Sequence, residues 1–297
     1  MNDTLKDRVA IITGSGQGIG RAIALAMARE GAKVVTNNRW PSTSGGDAES
    51  TAKEIREIGG QALPFFGDVS SFTKAEELIK RTVNEFGRVD ILVNNAGAVA
   101  ASPVWDMSEK DWNTVLDSHL KGAFNCTRHS CTLMIRQGWG RVLNVTSVHR
   151  FGIQGHCSYS AAKAGIIGLT RAMAMDLGEY GITCNAYSPI AATRQNMSEG
   201  VRVRRRRMFE AGLMNRKRYE ELTTASSPEV IPPLLVYLCT DEAASINGKV
   251  FHIADGEIAV STETEAMNAI HKAEGLWTIE ELIELIPTVV LMPNTEG

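Results

Sequence analysis

The sequence predicts an α/β fold: a Rossmann-like, doubly wound parallel sheet with helices on both faces, in a single domain. Three observations predict it. Short β-rich runs alternate with segments of helical period. A glycine-rich turn at 14–20 joins the first strand to the first helix. No internal repeat or linker divides the 297 residues.

The elements follow in order. Val9-Ala10-Ile11-Ile12-Thr13 is a short apolar run, the pattern of a strand buried on both faces. Over 21–29, Ile23, Ala24, Met27 and Ala28 recur at helical spacing, and Gly31 closes the helix. Val34-Val35-Thr36 forms the next strand, 41–47 is a polar, glycine-rich loop, and 48–58 is a helix. The alternation continues with strands near 62–67, 89–93, 141–146, 182–187 and 249–253. Helices fall at 73–86, 109–137, 157–179 and 228–239. Two segments stand outside the pattern, about 190–227 and from 257 onward.

Composition narrows the function classes. Hydrophobic residues make up 43% and charged residues 22%, a balance that supports a sizeable core. A net charge of −3 gives no basis for nucleic-acid or membrane-surface binding. No apolar run approaches the ~20 residues of a membrane helix, and the charged start, residues 1–8, has no signal-peptide stretch. Five scattered Cys without a CxxC pair predict free thiols in a reducing cytoplasm. The six His show no metal-ligand spacing, so no metal is expected.

The turn reads Thr13-Gly14-Ser15-Gly16-Gln17-Gly18-Ile19-Gly20, a TGxxxGxG pattern rather than GxGxxG. Its glycines let backbone approach a pyrophosphate, and the helix start presents unpaired N–H groups to it. A dinucleotide cofactor is therefore expected on Gly14, Ser15, Gln17, Gly18, Ile19 and Gly20. At the end of the second strand, Asn37-Asn38-Arg39 carries no acid for a ribose 2′-hydroxyl. Asn38 and Arg39 instead predict NADP(H) over NAD(H), with the Arg39 fork on the 2′-phosphate. The alternative is that Arg39 stacks on the adenine or is solvated.

Tyr159 and Lys163 stand four apart, one turn apart on one helix face. An ammonium close to a phenol favours the phenolate and makes an acid/base that works near neutral pH.

With TGSGQGIG at 13–20, Asn94-Asn95-Ala96-Gly97 after the fourth strand and YSAAK at 159–163, residues 5–256 resemble the short-chain dehydrogenase/reductase family. The resemblance implies hydride transfer between a nicotinamide and a carbonyl/alcohol pair. It makes Tyr159 the general acid/base and Lys163 the ribose-binding residue that lowers the phenol's pKa. It places Asp68 and Val69 beside the adenine, and Asn95, Ala96 and Gly97 along the cofactor cleft. Ile190 would offer its backbone to the nicotinamide amide, and Thr193 joins the cofactor set. Ser147 is the hydroxyl expected on the substrate oxygen. It precedes Tyr159 by one residue fewer than is usual, so Thr146 is the alternative.

Two departures from the family pattern stand out. His119 replaces an Asn that is thought to hold a relay water. His119 can donate, accept and titrate near neutral pH, or simply pack beside the helix. Ser188-Pro189-Ile190 stands where Pro-Gly is common.

His119-Leu120-Lys121-Gly122, the long loop after the second strand and Gly275-Leu276-Trp277-Thr278-Ile279-Glu280-Glu281-Leu282 look like the (3R)-hydroxyacyl-CoA dehydrogenase branch. The substrate lid, about 190–227, contains Arg202, Arg204, Arg205, Arg206, Arg207, Arg216, Lys217 and Arg218. That excess suits an anionic 3-oxoacyl or 3-hydroxyacyl-CoA-like substrate, or is a solvated helix or intersubunit face. Alternatives are a small-ketone or cyclic-alcohol dehydrogenase, or a non-catalytic dinucleotide-binding subunit. Residues 1–256 are thus expected to form the catalytic domain. The extension 257–297 would pack on the core or a neighbour through Ile279, Leu282, Ile283, Leu285 and Ile286. A small-molecule partner and a homodimer or homotetramer built on the long helices complete the expectation.

Overall fold

A computed structural model describes residues 3–191, 199–212, 215–223, 227–254, 256–261, 270–272 and 275–290. Eight strands form one sheet in the order β3-β2-β1-β4-β5-β6-β7-β8. They are β1 (Val9–Thr13), β2 (Lys33–Asn38), β3 (Ala62–Phe66), β4 (Ile91–Asn94), β5 (Gly140–Val145), β6 (Ile182–Pro189), β7 (Val250–Ala254) and β8 (Glu257–Val260). All pairings are parallel except β7 with β8.

The helices are α1 (Gly18–Arg29), α2 (Ala48–Glu57), α3 (Phe72–Phe86), α4 (Glu109–Leu116), α5 (Gly122–Gln137), α6 (Cys157–Leu177), α7 (Glu199–Glu210), α8 (Arg216–Thr223), α9 (Pro232–Leu238) and α10 (Ile279–Leu285). The helix predicted over 109–137 is α4 and α5 joined by a π-helical turn, Asp117–Lys121, which carries His119. The predicted helix 228–239 is a 3-10 turn followed by α9.

Alternate side chains of each strand enter opposite layers, so the strands read as apolar runs. Ala10, Ile12, Val34, Ile91, Val93 and Leu143 pack with α1, α2 and α9 on one face. Ile11, Val35, Leu92, Val142 and Cys184 pack with α3, α5 and α6 on the other. Each fully buried Ile or Leu contributes about 1.5–3 kcal/mol, so the layers fix the strand ends that carry the site.

The domain boundary needs correction. Glu257–Val260, assigned by sequence to the extension, is the antiparallel edge strand, paired with β7 from Phe251↔Val260 to Ala254↔Glu257. The first compact unit runs to Ser261 and the second covers Thr262–Gly297. Within the second unit, Thr278 and Glu281 form a capping box that starts α10, and Lys272 Nζ meets Glu281 Oε1 at 2.7 Å. Ile279 and Ile283 are exposed. Among the described residues no helix is long and apolar enough to cross a membrane.

Candidate active site

The site lies at the carboxyl ends of the parallel strands, where doubly wound sheets bind ligands. β1 leads into the glycine turn, β4 into Asn95-Ala96-Gly97, and β5 into Thr146-Ser147. Thr13 Oγ1 accepts from the N–H groups of Asn95 and Ala96, both at 3.0 Å, and Asn95 Nδ2 donates to the carbonyls of Thr13 and Gly14 at 3.1 Å. The first and fourth strand ends are thereby tied together.

The glycines are required for this approach. Gly14 has φ +65°, and a Cβ there would come within 2.8 Å of Ala96 Cα. A Cβ on Gly20 would collide with the Gly14 carbonyl, and one on Gly16 with Asn38 Oδ1. The residue capping α1, Gln17, supplies no side-chain bond to the helix start. The first-turn N–H groups of α1 therefore lack that side-chain cap, as an anion site at a helix start requires. Asn38 Oδ1 is buried without a partner, an acceptor that fits a ribose hydroxyl. A dinucleotide thus fits the turn.

The cofactor residues predicted from sequence divide in their placement. Gly14, Gly18, Gly20, Asn38, Asn95 and Ala96 gather at the turn. The Ser15 side chain is fully buried: its hydroxyl accepts from the Asn37 N–H at 2.9 Å, and its own N–H donates to Asn37 O. Ser15 therefore ties β1 to β2. Arg39 Nε lies 2.9 Å from Asp68 Oδ2, so the predicted phosphate ligand and the predicted adenine neighbour form one ion pair. Val69 is buried, and its carbonyl accepts from Asn125 at 3.0 Å. The Ile190 N–H is taken by the Ile253 carbonyl at 2.8 Å, leaving its own carbonyl as the group it can offer. Thr193 lies outside the described residues.

The catalytic candidates converge. Ser147 begins the turn after β5, and its Oγ accepts from the His149 N–H at 3.2 Å. Its hydroxyl is also near enough to the Tyr159 phenol to work against the rise in that phenol's pKa. Thr146 donates to the Lys163 carbonyl at 2.7 Å and is buried, so of the two hydroxyls Ser147 is the one at the phenol. Lys163 is buried, with Nζ donating to Val145 O at 2.9 Å and lying 5.5 Å from the Tyr159 ring centre.

Electrostatics here differ from the expectation of a phenolate held by an ammonium. Burial raises the Tyr159 phenol above its usual value, opposed by the nearby Ser147 hydroxyl. Burial also lowers Lys163 from 10.5 to about 7. Tyr159 is thus loaded with its proton at neutral pH, as a donor must be.

His119 is also corrected. Burial, and then the Lys163 charge, hold its pKa well below 6.5, so it does not titrate near neutral pH. Its Nε2 lies 2.8 Å from the Ala98 carbonyl, which can only accept, so the proton is on Nε2. Nδ1 is left as a buried acceptor without a protein partner. A Cβ on Gly97 would collide with the His119 ring, so this His is seated on a glycine of the cofactor cleft. Its ring meets Tyr159 edge-on, with centres 5.2 Å apart. Contacts therefore run without a gap from Gly14 through Ala96, Gly97 and His119 to Tyr159 and Ser147.

Two residues escaped the sequence reading. His149 and His156 also flank Tyr159, at 5.9 and 6.4 Å between ring centres. The available signal was two imidazoles on the loop leading into the YSAAK helix.

The profile of the short chain dehydrogenase family matches residues 8–204. The chain belongs to the short-chain dehydrogenase family. It is an oxidoreductase of the nicotinamide-dependent kind that this family comprises. It is 37% identical over 257 residues to a 3-oxoacyl-[acyl-carrier-protein] reductase of Synechocystis sp., covering 86% of this chain and 98% of that one. It is 37% identical over 255 residues to the peroxisomal multifunctional enzyme type 2 of Drosophila melanogaster, covering 84% of this chain and 39% of that longer protein. The crystal structure of a short chain dehydrogenase from Mycobacterium avium superimposes with a TM-score of 0.79 at 34% identity, covering 96% of this chain and 94% of that one. The mostly parallel sheet of this family member, with helices on both faces, is the one its sequence predicted.

Proposed function

We propose that the chain is an NADP(H)-dependent reductase of 3-oxoacyl thioesters, running in reverse on the corresponding 3-hydroxy compounds. The observation that carries this reading is the Ser147 hydroxyl against the phenol of Tyr159, over a buried Lys163. The nicotinamide, when bound, supplies the hydride. Gly14, Gly18, Gly20 and the start of α1 would hold its pyrophosphate, and Asn38 its ribose. The Ser147 hydroxyl donates to the substrate oxygen and orients the carbonyl. The Tyr159 Oη–H gives its proton to the same oxygen. Lys163 Nζ stands behind Tyr159 to return a proton to it, and His119 Nδ1 accepts a hydrogen bond on that path. The thioester assignment is supported by the Synechocystis relative, a 3-oxoacyl-[acyl-carrier-protein] reductase, and by the arginines of α7. Of these, Arg202, Arg206 and Arg207 are exposed and Arg205 is buried. The side chains of Arg204, Lys217 and Arg218 lie outside the described residues.

The preference for NADP(H) rests on Arg39 and on the lack of an acid at positions 37–39. The Arg39–Asp68 pair favours a second reading, because Asp68 offsets the cation and Asn38 can receive a 2′-hydroxyl. Initial rates with NADPH and NADH on acetoacetyl thioesters separate the two. The account expects higher kcat/KM with NADPH and its loss in Arg39→Ala. Equal rates, or a preference for NADH, overturn the NADP(H) assignment.

We also infer self-association through α4, α5 and α6. Leu116, Leu120, Phe124, Gly165 and Leu169 line an open apolar hollow of about 560 Å³ there, and Phe124 is exposed. Substituting Phe124→Glu is expected to shift the assembly toward monomer in analytical ultracentrifugation. An unchanged sedimentation coefficient sinks this interface.

A further inference from the structure

Asp68 and Val69, expected beside the adenine, lie in the turn between β3 and α3, which the Ser71 N–H closes on the Asp68 carbonyl at 3.0 Å. That turn is held from behind by α5. Gly122 and Asn125 stand three apart on α5 and so share one helix face. A Cβ on Gly122 would lie 3.1 Å from Val69 Cγ2, so the glycine lets the helix approach the turn closely. Asn125 is 1% exposed, and its Nδ2 donates to the carbonyls of Val69 and Ser70, both at 3.0 Å. The two N–H groups of one amide match these two carbonyls. The Ser70 N–H in turn donates to Asp68 Oδ1 at 3.0 Å, and the other oxygen of that carboxylate lies 2.9 Å from Arg39 Nε. Contacts therefore run from a buried amide in α5, through the turn and Asp68, to Arg39 at the end of β2.

A surface turn can meet its carbonyls with water and keep some freedom of position. Here one buried amide takes two successive carbonyls, and it reaches both in only one arrangement of the backbone. That arrangement fixes where Val69 and the Asp68 carboxylate stand, and with the carboxylate the place of Arg39. We propose that Asn125 is a positioning residue for the adenosine half of the dinucleotide, acting on it only through the 68–70 turn and the Asp68–Arg39 pair. This rests on the dinucleotide reading above and deepens it. Ser147, Tyr159 and Lys163 belong to the end of β5 and to α6. Loss of the Asn125 amide therefore weakens cofactor binding and spares the chemical step.

The test measures Kd for ADP, 2′,5′-ADP and NADPH by calorimetry in the wild type, Asn125→Leu and Ser130→Ala. Beside it, kcat is read with acetoacetyl-N-acetylcysteamine at saturating NADPH. Leu keeps a similar volume and removes both donors. Ser130 is buried on the same helix, with its hydroxyl on the Thr127 carbonyl, and controls for general loosening of α5. In Asn125→Leu all three Kd values should rise about tenfold, while kcat stays within about threefold of wild type. Ser130→Ala should bind as the wild type does. An unchanged Kd for ADP in Asn125→Leu, an equal rise in Ser130→Ala, or a kcat that falls as far as affinity does overturns the assignment. A wild type that binds none of the three overturns the dinucleotide reading, and the role of Asn125 with it. A wild type that binds NADPH but turns over no thioester overturns only the reductase reading, and the binding measurements still judge Asn125. For a Leu chain that does not fold, the wild type decides. The Asn125 side-chain N–H signals, followed by NMR, should shift on adding ADP, and unmoved signals overturn the proposal.

Discussion

Lys163→Met should destroy activity and yet stabilise the folded chain. The native ammonium is buried, with its pKa lowered from 10.5 to about 7. That difference corresponds to roughly 5 kcal/mol of cost for holding the charge inside at low pH. The charged hydrogen bond to Val145 O at 2.9 Å returns about 1.5–3 kcal/mol of it. Met fills a similar volume without a charge, so the variant should gain roughly 2–3 kcal/mol at about pH 6. The sign with pH follows from proton counting. The unfolded state keeps the lysine proton up to 10.5, and the folded state releases it near 7. Wild-type stability therefore rises with pH between these values, and the variant's does not rise from this source. The advantage of Lys163→Met should thus shrink by roughly 2–3 kcal/mol between about pH 6 and about pH 9. Urea denaturation of both full-length chains without added cofactor measures it. A variant less stable than wild type at about pH 6, or an advantage that does not change with pH, refutes the reasoning.

Further outcomes follow from the same contacts. Ser147→Ala should lower kcat by about 10²-fold or more. Thr146→Val should leave kcat near wild type while costing about 1–2 kcal/mol of stability, because its hydroxyl serves the Lys163 carbonyl; steady-state rates beside thermal melts distinguish the two roles. Gly97→Ala drives a methyl into the His119 ring and should cost about 1–3 kcal/mol, less in a His119→Ser background. Additive melting shifts in that double variant would show that the two residues do not press on each other.

The features legible in the sequence are those carried by neighbours along the chain. The glycine turn, the strand–helix alternation and the Tyr159–Lys163 spacing are local, and each lies where the pattern put it. The choice between Thr146 and Ser147 was only half legible. Loop length cannot fix it; only the folded chain turns the Thr146 hydroxyl to the Lys163 carbonyl. The state of His119 was not legible. It depends on Gly97, Ala98 and Lys163, which only the folded chain brings to its ring. Arg39 likewise looked available because Asp68, on another strand end, is invisible from its neighbourhood. The strand β8 had a local signal, Asp255-Gly256 between two β-rich runs, which is a hairpin pattern. The regular parallel alternation masked it.

The central claim is that Tyr159, oriented by Ser147, carries the proton that accompanies hydride transfer. Tyr159→Phe removes one oxygen and keeps the ring among its three imidazole neighbours. The account predicts that oxidation of NADPH by acetoacetyl-N-acetylcysteamine falls by about 10²-fold or more, while NADPH binding measured by its fluorescence is retained. A Tyr159→Phe chain that turns over within about threefold of wild type would contradict it.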